Sequence, residues 1–251
     1  MQMQGNTILI TGATSGIGRG LAEAFHQRGN QVIVTGRREF RLKDLCHHHP
    51  GMASYVLDVT RPESIKDVAK SVLANFPAVN CVINNAGVQM HLSLAPDAPL
   101  DDERLQTEVT TNLLGPIRVA AAFLPHLAKQ SGATLINVSS GLAFVPIARF
   151  PFYCATKAAI HSWTMTLRQQ LRQTGIKVIE LIPPYVATEL GGAGKSALPI
   201  GRQPMPLDAF IAETMKELET DADEIAIAEA KRLVAAASPE SVKKVFSFMN
   251  G

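Results

Sequence analysis

The chain is predicted to fold as an α/β domain, with a doubly wound, mostly parallel sheet of about seven strands between two helical layers. Three observations predict it. Strand-like and helix-like segments alternate along most of the 251 residues, an order that implies right-handed crossovers and helices on both sheet faces. The strand segments are short, branched apolar runs, as expected of strands buried on both faces. Hydrophobic residues make up 46% of the chain, enough for one large core, and no linker composition divides it. A single domain over 1–251 is expected.

The first strand is read at 7–11, Thr-Ile-Leu-Ile-Thr, followed by Gly12-Ala-Thr-Ser-Gly16-Ile-Gly18 and a helix at 19–28. A strand, a glycine-rich turn and a helix N-terminus form a pyrophosphate cradle. The glycines allow close backbone approach, and the free N–H groups and positive dipole end face the phosphates. The spacing Gly-x-x-x-Gly-x-Gly differs from the commoner Gly-x-Gly-x-x-Gly. Further strands are read at 31–35, 53–57, 80–83, 134–138 and 177–182, with a short last strand at 224–228. Helical patterns occupy 38–46, 62–75, 101–128 and 151–173. Inside 101–128, Pro116 stands four residues after Asn112 and has no N–H. The Asn112 carbonyl therefore loses its helix donor and is free to accept elsewhere, and a kink is expected. The segment 189–206, with Gly191, Gly192, Gly194, Gly201 and several prolines, breaks the pattern. It reads as a substrate lid, extending over about 189–220, or as a surface connection.

Tyr153-Cys-Ala-Thr-Lys157, with Ser140 upstream, carries the chemistry. A phenol is a poor base at its ordinary pKa of about 10. A lysine four residues later lies on the same helix face, and its ammonium is expected to lower the tyrosine pKa toward a useful range. A serine hydroxyl at the same point can hold a substrate oxygen. Together these groups suit proton exchange on a carbonyl or alcohol oxygen. Ser139 is the less suitable serine, because adjacent strand-end side chains point to opposite sides.

Composition excludes several classes. A net charge of +2 with scattered basic residues indicates neither a nucleic-acid surface nor an acidic partner. The apolar stretch 119–128 is broken by Pro125 and His126 and is too short to span a bilayer, so no membrane association is expected. Cys46, Cys81 and Cys154 are few and lack metal-like spacing, which suits reduced thiols in a cytoplasmic protein. No basic n-region and apolar h-region precede the first strand.

Over nearly the whole chain these motifs resemble the short-chain dehydrogenase/reductase family. The segment 11–18 resembles its cofactor turn, Asn84-Asn85-Ala86-Gly87 its fourth-strand motif, and Ser140, Tyr153 and Lys157 its catalytic set. Ser139-Ser140-Gly141-Leu142-Ala143-Phe144, and 183–192 beginning Pro-Pro-Tyr-Val-Ala-Thr-Glu, look like the branch represented by the DltE oxidoreductases. The resemblance implies a three-layer α/β/α Rossmann fold and a hydride transfer that interconverts a carbonyl and a secondary alcohol. It implies cofactor contacts from Gly12, Thr14, Ser15, Gly16, Ile17, Gly18, Asp58, Val59, Asn85, Ala86, Gly87, Tyr153, Lys157 and Pro183. Lys157 would also hold the nicotinamide ribose, and Asn112 a water that returns protons. A homodimer or homotetramer through the two long helices is implied as well. Two features depart from the pattern. Pro183-Pro184 replaces the usual Pro-Gly, which moves the expected nicotinamide contacts onto Val186 and Thr188. The usual C-terminal strand motif is missing, which puts the familiar C-terminal dimer contact in doubt.

An NAD site usually carries a carboxylate about 20 positions after the glycine turn. Here Gly36 is followed by Arg37 and Arg38, and guanidinium groups bind phosphate through fork geometry. NADP(H) is therefore expected, with Arg37 the principal ligand, and no carboxylate is expected at that site. Asp58 either meets the adenine, as the resemblance implies, or caps the next helix with Thr60. A substrate pocket of Gln89, Leu142, Phe144, Phe150, Phe152 and Tyr185 is expected from nearness to the catalytic set, and its apolar character suits a hydrophobic carbonyl compound. Arg149 reads as holding an anionic group or as a solvated loop residue. His47-His48-His49 do not converge on one ion as an i, i+4 pair can, so no metal is expected. Cys154, near a helix start, reads as a thiol of lowered pKa or as packing. The rival to an oxidoreductase is a non-catalytic NADP(H)-binding regulator on the same fold. A methyltransferase with a similar turn would leave the Tyr/Lys pair unexplained.

Overall fold

The structure, a computed structural model, describes residues 1–97, 99–190 and 203–236, with Lys244 and Phe248. Its strands are β1 (Thr7–Ile10), β2 (Gln31–Gly36), β3 (Ala53–Val56), β4 (Val79–Asn84), β5 (Thr134–Val138), β6 (Lys177–Ile182) and β7 (Glu224–Ala226). They form one sheet in the order β3-β2-β1-β4-β5-β6-β7, and every pairing is parallel. The order reverses direction between β1 and β4, the switch point at which such sheets open a crevice at the strand C-termini.

Successive strand residues point to opposite faces, and β1 shows the result. Ile8 and Ile10 join a core with Phe25 of α1 (Gly16–Gln27), Leu42 of α2 (Glu39–His48) and Phe210 of α7 (Leu207–Glu217). Leu9 joins the opposite core, with Val72 of α3 (Pro62–Asn75), Phe123 of α5 (Gly115–Leu127) and Leu167 of α6 (Pro151–Leu171). These layers account for the near-continuous apolar strand sequences, because both faces are covered.

Three expectations are corrected. The helix at 101–128 is interrupted: α4 (Asp102–Val109) passes into a π-helical turn at Thr110–Leu114 before α5. The Gly115 N–H donates to the Thr110 carbonyl, five residues back. Pro116 offers no N–H to the Asn112 carbonyl, so the turn widens where an α-type bond is missing. Second, the segment 189–220 is not wholly a loop. Met205 bridges Val186, and α7 packs on α1 with Ile211 over Gly20. Positions 191–202 of the expected lid lie outside the described residues. Third, the chain forms a further helix, α8 (Ala230–Ala235), which the sequence pattern did not suggest.

Candidate active site

The strand C-termini open into a cavity of about 1010 Å3. At one end lies the glycine turn. Gly12 has φ +69°, the left-handed region that glycine tolerates, and a Cβ there would stand 2.7 Å from Ala86 Cα. Thr11 and Asn85 tie this turn to the neighbouring strand. The N–H groups of Asn85 and Ala86 donate to Thr11 Oγ1 at 3.0 and 3.1 Å, and Asn85 Nδ2 donates to the Thr11 and Gly12 carbonyls. The Asn85 side chain therefore supports the turn, and its main chain follows the cavity wall with Ala86 and Gly87. Gly18 does not line the cavity; it packs beneath the turn, where a Cβ would meet the Gly12 carbonyl oxygen at 2.6 Å. Ser15 begins α1 without capping it, so the first-turn N–H groups are left for another acceptor.

Beyond the turn the cavity is walled by Arg37, Arg38, Asp58 and Val59. Arg37 is exposed. Arg38 is the arginine turned inward: its Nη2 donates to Thr14 Oγ1 at 2.5 Å and Ser15 Oγ at 2.7 Å. The expectation that no carboxylate reaches this end is overturned. Glu189 accepts from Arg38 at 3.0 Å and from Arg41 at 2.7 Å, and these guanidiniums hold its carboxyl below the usual range. Arg41 and Glu189 were not anticipated. Asp58 accepts from the Thr60 N–H and hydroxyl at 3.0 and 2.7 Å, and the residue preceding α3 is Arg61. Asp58 thus closes an Asx turn and does not cap the helix.

At the other end Ser140, Tyr153 and Lys157 share the wall with Pro183, Val186 and Thr188. Ser140 lies two residues past β5 and caps a 3-10 turn, Gly141–Ala143, accepting from the Leu142 N–H at 3.1 Å. Ser139 also borders the cavity, but its hydroxyl is buried without a partner. Tyr153 and Lys157 lie one turn apart on α6, with Lys157 Nζ 5.7 Å from the Tyr153 ring centroid. Nζ donates to the Val138 carbonyl at 2.8 Å. Asn112 stands behind the wall. Its Nδ2 donates to the Val88 carbonyl and its Oδ1 accepts from the Val88 N–H, at 2.8 and 2.9 Å, fixing the strap after β4 against α6 through Thr156.

The expected lowering of the tyrosine pKa is corrected. Burial, the largest effect, pushes the Tyr153 phenol above its ordinary value; the Ser140 hydroxyl opposes it, while Cys154 and Glu108 add to the rise. Glu108 is a further unanticipated residue. Its Oε1 accepts from the Met90 N–H at 2.9 Å, its Oε2 is buried without a partner, and burial raises its pKa. Cys154 is buried and its thiol is pushed up to about 11, which removes the low-pKa reading and leaves packing. Lys157 is pushed down to about 8 by burial, with Glu180 opposing. A lysine whose folded pKa lies below its unfolded value destabilises the fold while it is charged in both states, and stability recovers with rising pH where the unfolded chain holds more protons. That cost is complete below about 8 and disappears as pH rises to 10.5. Lys157→Met is therefore expected to stabilise the fold at neutral pH by about 1–3 kcal/mol, a gain that vanishes above pH 10.5. Thermal unfolding across that pH range checks it.

Of the expected substrate pocket, Gln89, Leu142, Phe150 and Tyr185 line the cavity. Phe144 does not; its ring packs on His161 at 4.4 Å, and Phe152 is likewise absent from the wall. Met90, His91, Ile147, Arg149, Ala228, Glu229, Arg232 and Leu233 also line this end, the last four arriving from the C-terminal segment. Among the described residues no group of three His, Cys, Asp or Glu side chains could hold a metal. No helix there is long and apolar enough to cross a membrane.

Comparison with known proteins agrees with this geometry. A family model described as short chain dehydrogenase matches residues 6–197. An uncharacterized oxidoreductase, DltE of Bacillus subtilis, is 42% identical over 193 residues, covering 76% of this chain and 75% of that protein. A short chain dehydrogenase of Burkholderia cenocepacia, solved in complex with NADP, superposes with a TM-score of 0.84 at 25% identity over 99% of both chains. One from Sphingobium yanoikuyae in complex with NADPH gives 0.78 at 26% identity, covering 92% and 93%. The chain therefore belongs to the short-chain dehydrogenase family, as a DltE-like oxidoreductase.

Proposed function

We propose that the protein is an NADP(H)-dependent oxidoreductase that interconverts a carbonyl and a secondary alcohol. The observation that carries this reading is the convergence of Ser140, Tyr153 and Lys157 on one wall of a cavity whose far end is a glycine turn with uncapped helix N–H groups. The residues fit a nicotinamide dinucleotide. The turn would take the pyrophosphate, Asp58 and Val59 the adenine end, and Ala86, Gly87, Pro183, Val186 and Thr188 the nicotinamide end. When bound, the cofactor supplies the hydride.

The chain's own residues supply the rest. Ser140 would hold the substrate oxygen by hydrogen bond. Tyr153, whose raised pKa keeps its proton in place at neutral pH, would donate that proton as charge develops on the oxygen. Lys157, still mostly protonated at neutral pH with a pKa of about 8, would stabilise the phenolate left behind and hold the ribose. The Asn112 carbonyl, without a helix donor from Pro116, would hold a water that returns the proton. In oxidation the same phenol acts as base. A non-catalytic regulator would not need all four groups.

NADP(H) preference is supported by Arg37, Arg38 and Arg41 at the ribose end and by the cofactors of the Burkholderia and Sphingobium relatives. Glu189 already pairs with two of those arginines, so a 2′-phosphate would exchange with its carboxylate. Glu189→Gln is expected to tighten NADPH binding about three- to tenfold, or roughly 1 kcal/mol, with a smaller effect on NADH; Arg38→Ala should do the reverse. Thermal shifts with NADPH, NADH and no ligand, followed by a carbonyl and alcohol panel, test both claims. Stronger protection by NADH would overturn the NADP assignment. Binding without turnover across the panel would favour the regulator.

A further inference from the structure

We propose that the substrate end of the cavity is built for an anionic carbonyl compound, whose carboxylate or phosphate is held by Arg149; the proposal rests on the oxidoreductase reading above. Arg149 stands between the 3-10 turn and α6 and is half-buried. Its Nε is fully buried with no hydrogen-bond partner. Its guanidinium lies 5.6 Å from the Phe150 ring centroid, and His91 meets the same ring edge-on at 6.1 Å. No Asp or Glu among the described residues pairs with it. A fully solvated loop arginine would keep Nε in water, whereas here Nε is withdrawn from it.

The guanidinium carbon lies over the Phe150 ring, and no described residue supplies an acceptor to its N–H groups. The buried Nε–H is costly until an acceptor meets it, and with a neighbouring Nη N–H it matches two oxygens of a carboxylate or phosphate. Arg149, Ser140 and Tyr153 line one cavity. Leu142, Ile147 and Leu233 form apolar wall at the same end, suited to a short carbon body between the anion and the carbonyl. Arg232 does not compete for this role: its side chain is 81% exposed and already pairs with Glu229.

The test uses pairs of carbonyl compounds that differ in charge: para-carboxybenzaldehyde against the methyl ester of para-formylbenzoic acid, and dihydroxyacetone phosphate against dihydroxyacetone. With NADPH, the wild type should prefer the charged member of at least one pair by about tenfold or more in kcat/KM. Which pair shows the preference separates carboxylate from phosphate. Arg149→Gln should remove most of that preference, chiefly through KM, as loss of uniform binding does, and Arg149→Lys should restore part of it. NADPH fluorescence titration reports whether each variant remains folded. A wild-type preference for the neutral members, or equal losses on both members in Arg149→Gln, overturns the proposal. If the wild type turns over no member of either pair, the oxidoreductase reading is what suffers. Arg149 is then judged by calorimetric titration with para-carboxybenzaldehyde and dihydroxyacetone phosphate. Weaker binding of either anion to Arg149→Gln than to wild type keeps the anion site; equal binding removes it.

Discussion

Tyr153→Phe is expected to lower turnover by about 10²–10⁴-fold, the usual contribution of a positioned general acid, while NADPH binding changes little. The phenyl ring preserves the volume at a site that is only 5% exposed, and Ser140 keeps its hydrogen bond from the Leu142 N–H. What is lost is the proton. The effect should fall on kcat and kcat/KM together, because the interaction forms in the transition state. Absorbance of the reduced nicotinamide reports turnover, and its fluorescence reports binding. The wild-type rate of reduction should also decline as pH rises through about 8, where Lys157 loses its charge. A phenylalanine variant with near wild-type turnover would remove Tyr153 from the acid role.

Gly12→Ala is expected to cost about 2–5 kcal/mol of folding stability. About 1–2 kcal/mol comes from forcing a side chain into the left-handed conformation, and about 1–3 kcal/mol from overpacking. The backbone φ is +69° and the new Cβ would lie 2.7 Å from Ala86 Cα. Ala86 cannot easily retreat, since its N–H is held by Thr11 Oγ1 at 3.1 Å. Against a typical total of about 5–15 kcal/mol the loss is large, and any folded variant should bind NADPH poorly because the turn has moved. Urea unfolding with and without NADPH measures both effects. A loss under about 1 kcal/mol with unchanged affinity would mean that the strap after β4 is softer than its hydrogen bonds suggest.

The fold was largely legible because its signals are local. A strand buried on both faces must be a short apolar run, and β1, β2, β5 and β6 are such runs. Helix α1 begins at Gly16, earlier than the expected 19, because a glycine-rich turn looks unstructured by propensity although the Arg19 N–H already bonds the Ser15 carbonyl at 3.3 Å. Helix α7 carries Leu207, Phe210, Ile211 and Met215 at helical spacing, but the adjoining glycines and prolines masked it. At the site, the Tyr153/Lys157 pair is one helical turn and needs no third element to be seen. The Arg38–Glu189 contact joins positions 151 residues apart, and Glu108 reaches Met90 across the strap. Nothing local announces either. Phe144 was misassigned because its direction depends on how the 3-10 turn meets α6, which neighbouring letters do not encode. The tyrosine pKa was misjudged for a related reason: the attraction of a nearby ammonium follows from spacing, whereas desolvation follows from everything packed around the ring.

The π-helical turn at Thr110–Leu114 holds one residue more than an ordinary helical turn would. That surplus is absorbed within the turn, so α4 and α5 keep the phase of a single helix. Deleting one residue there would let α4 run into α5 with Phe123 and Leu127 still against the sheet, and the loss would fall on Asn112 and its grip on Val88. A deletion within α5 itself would instead rotate everything downstream by about 100°, so the turn is the place where this pair of helices can change length without losing its facing.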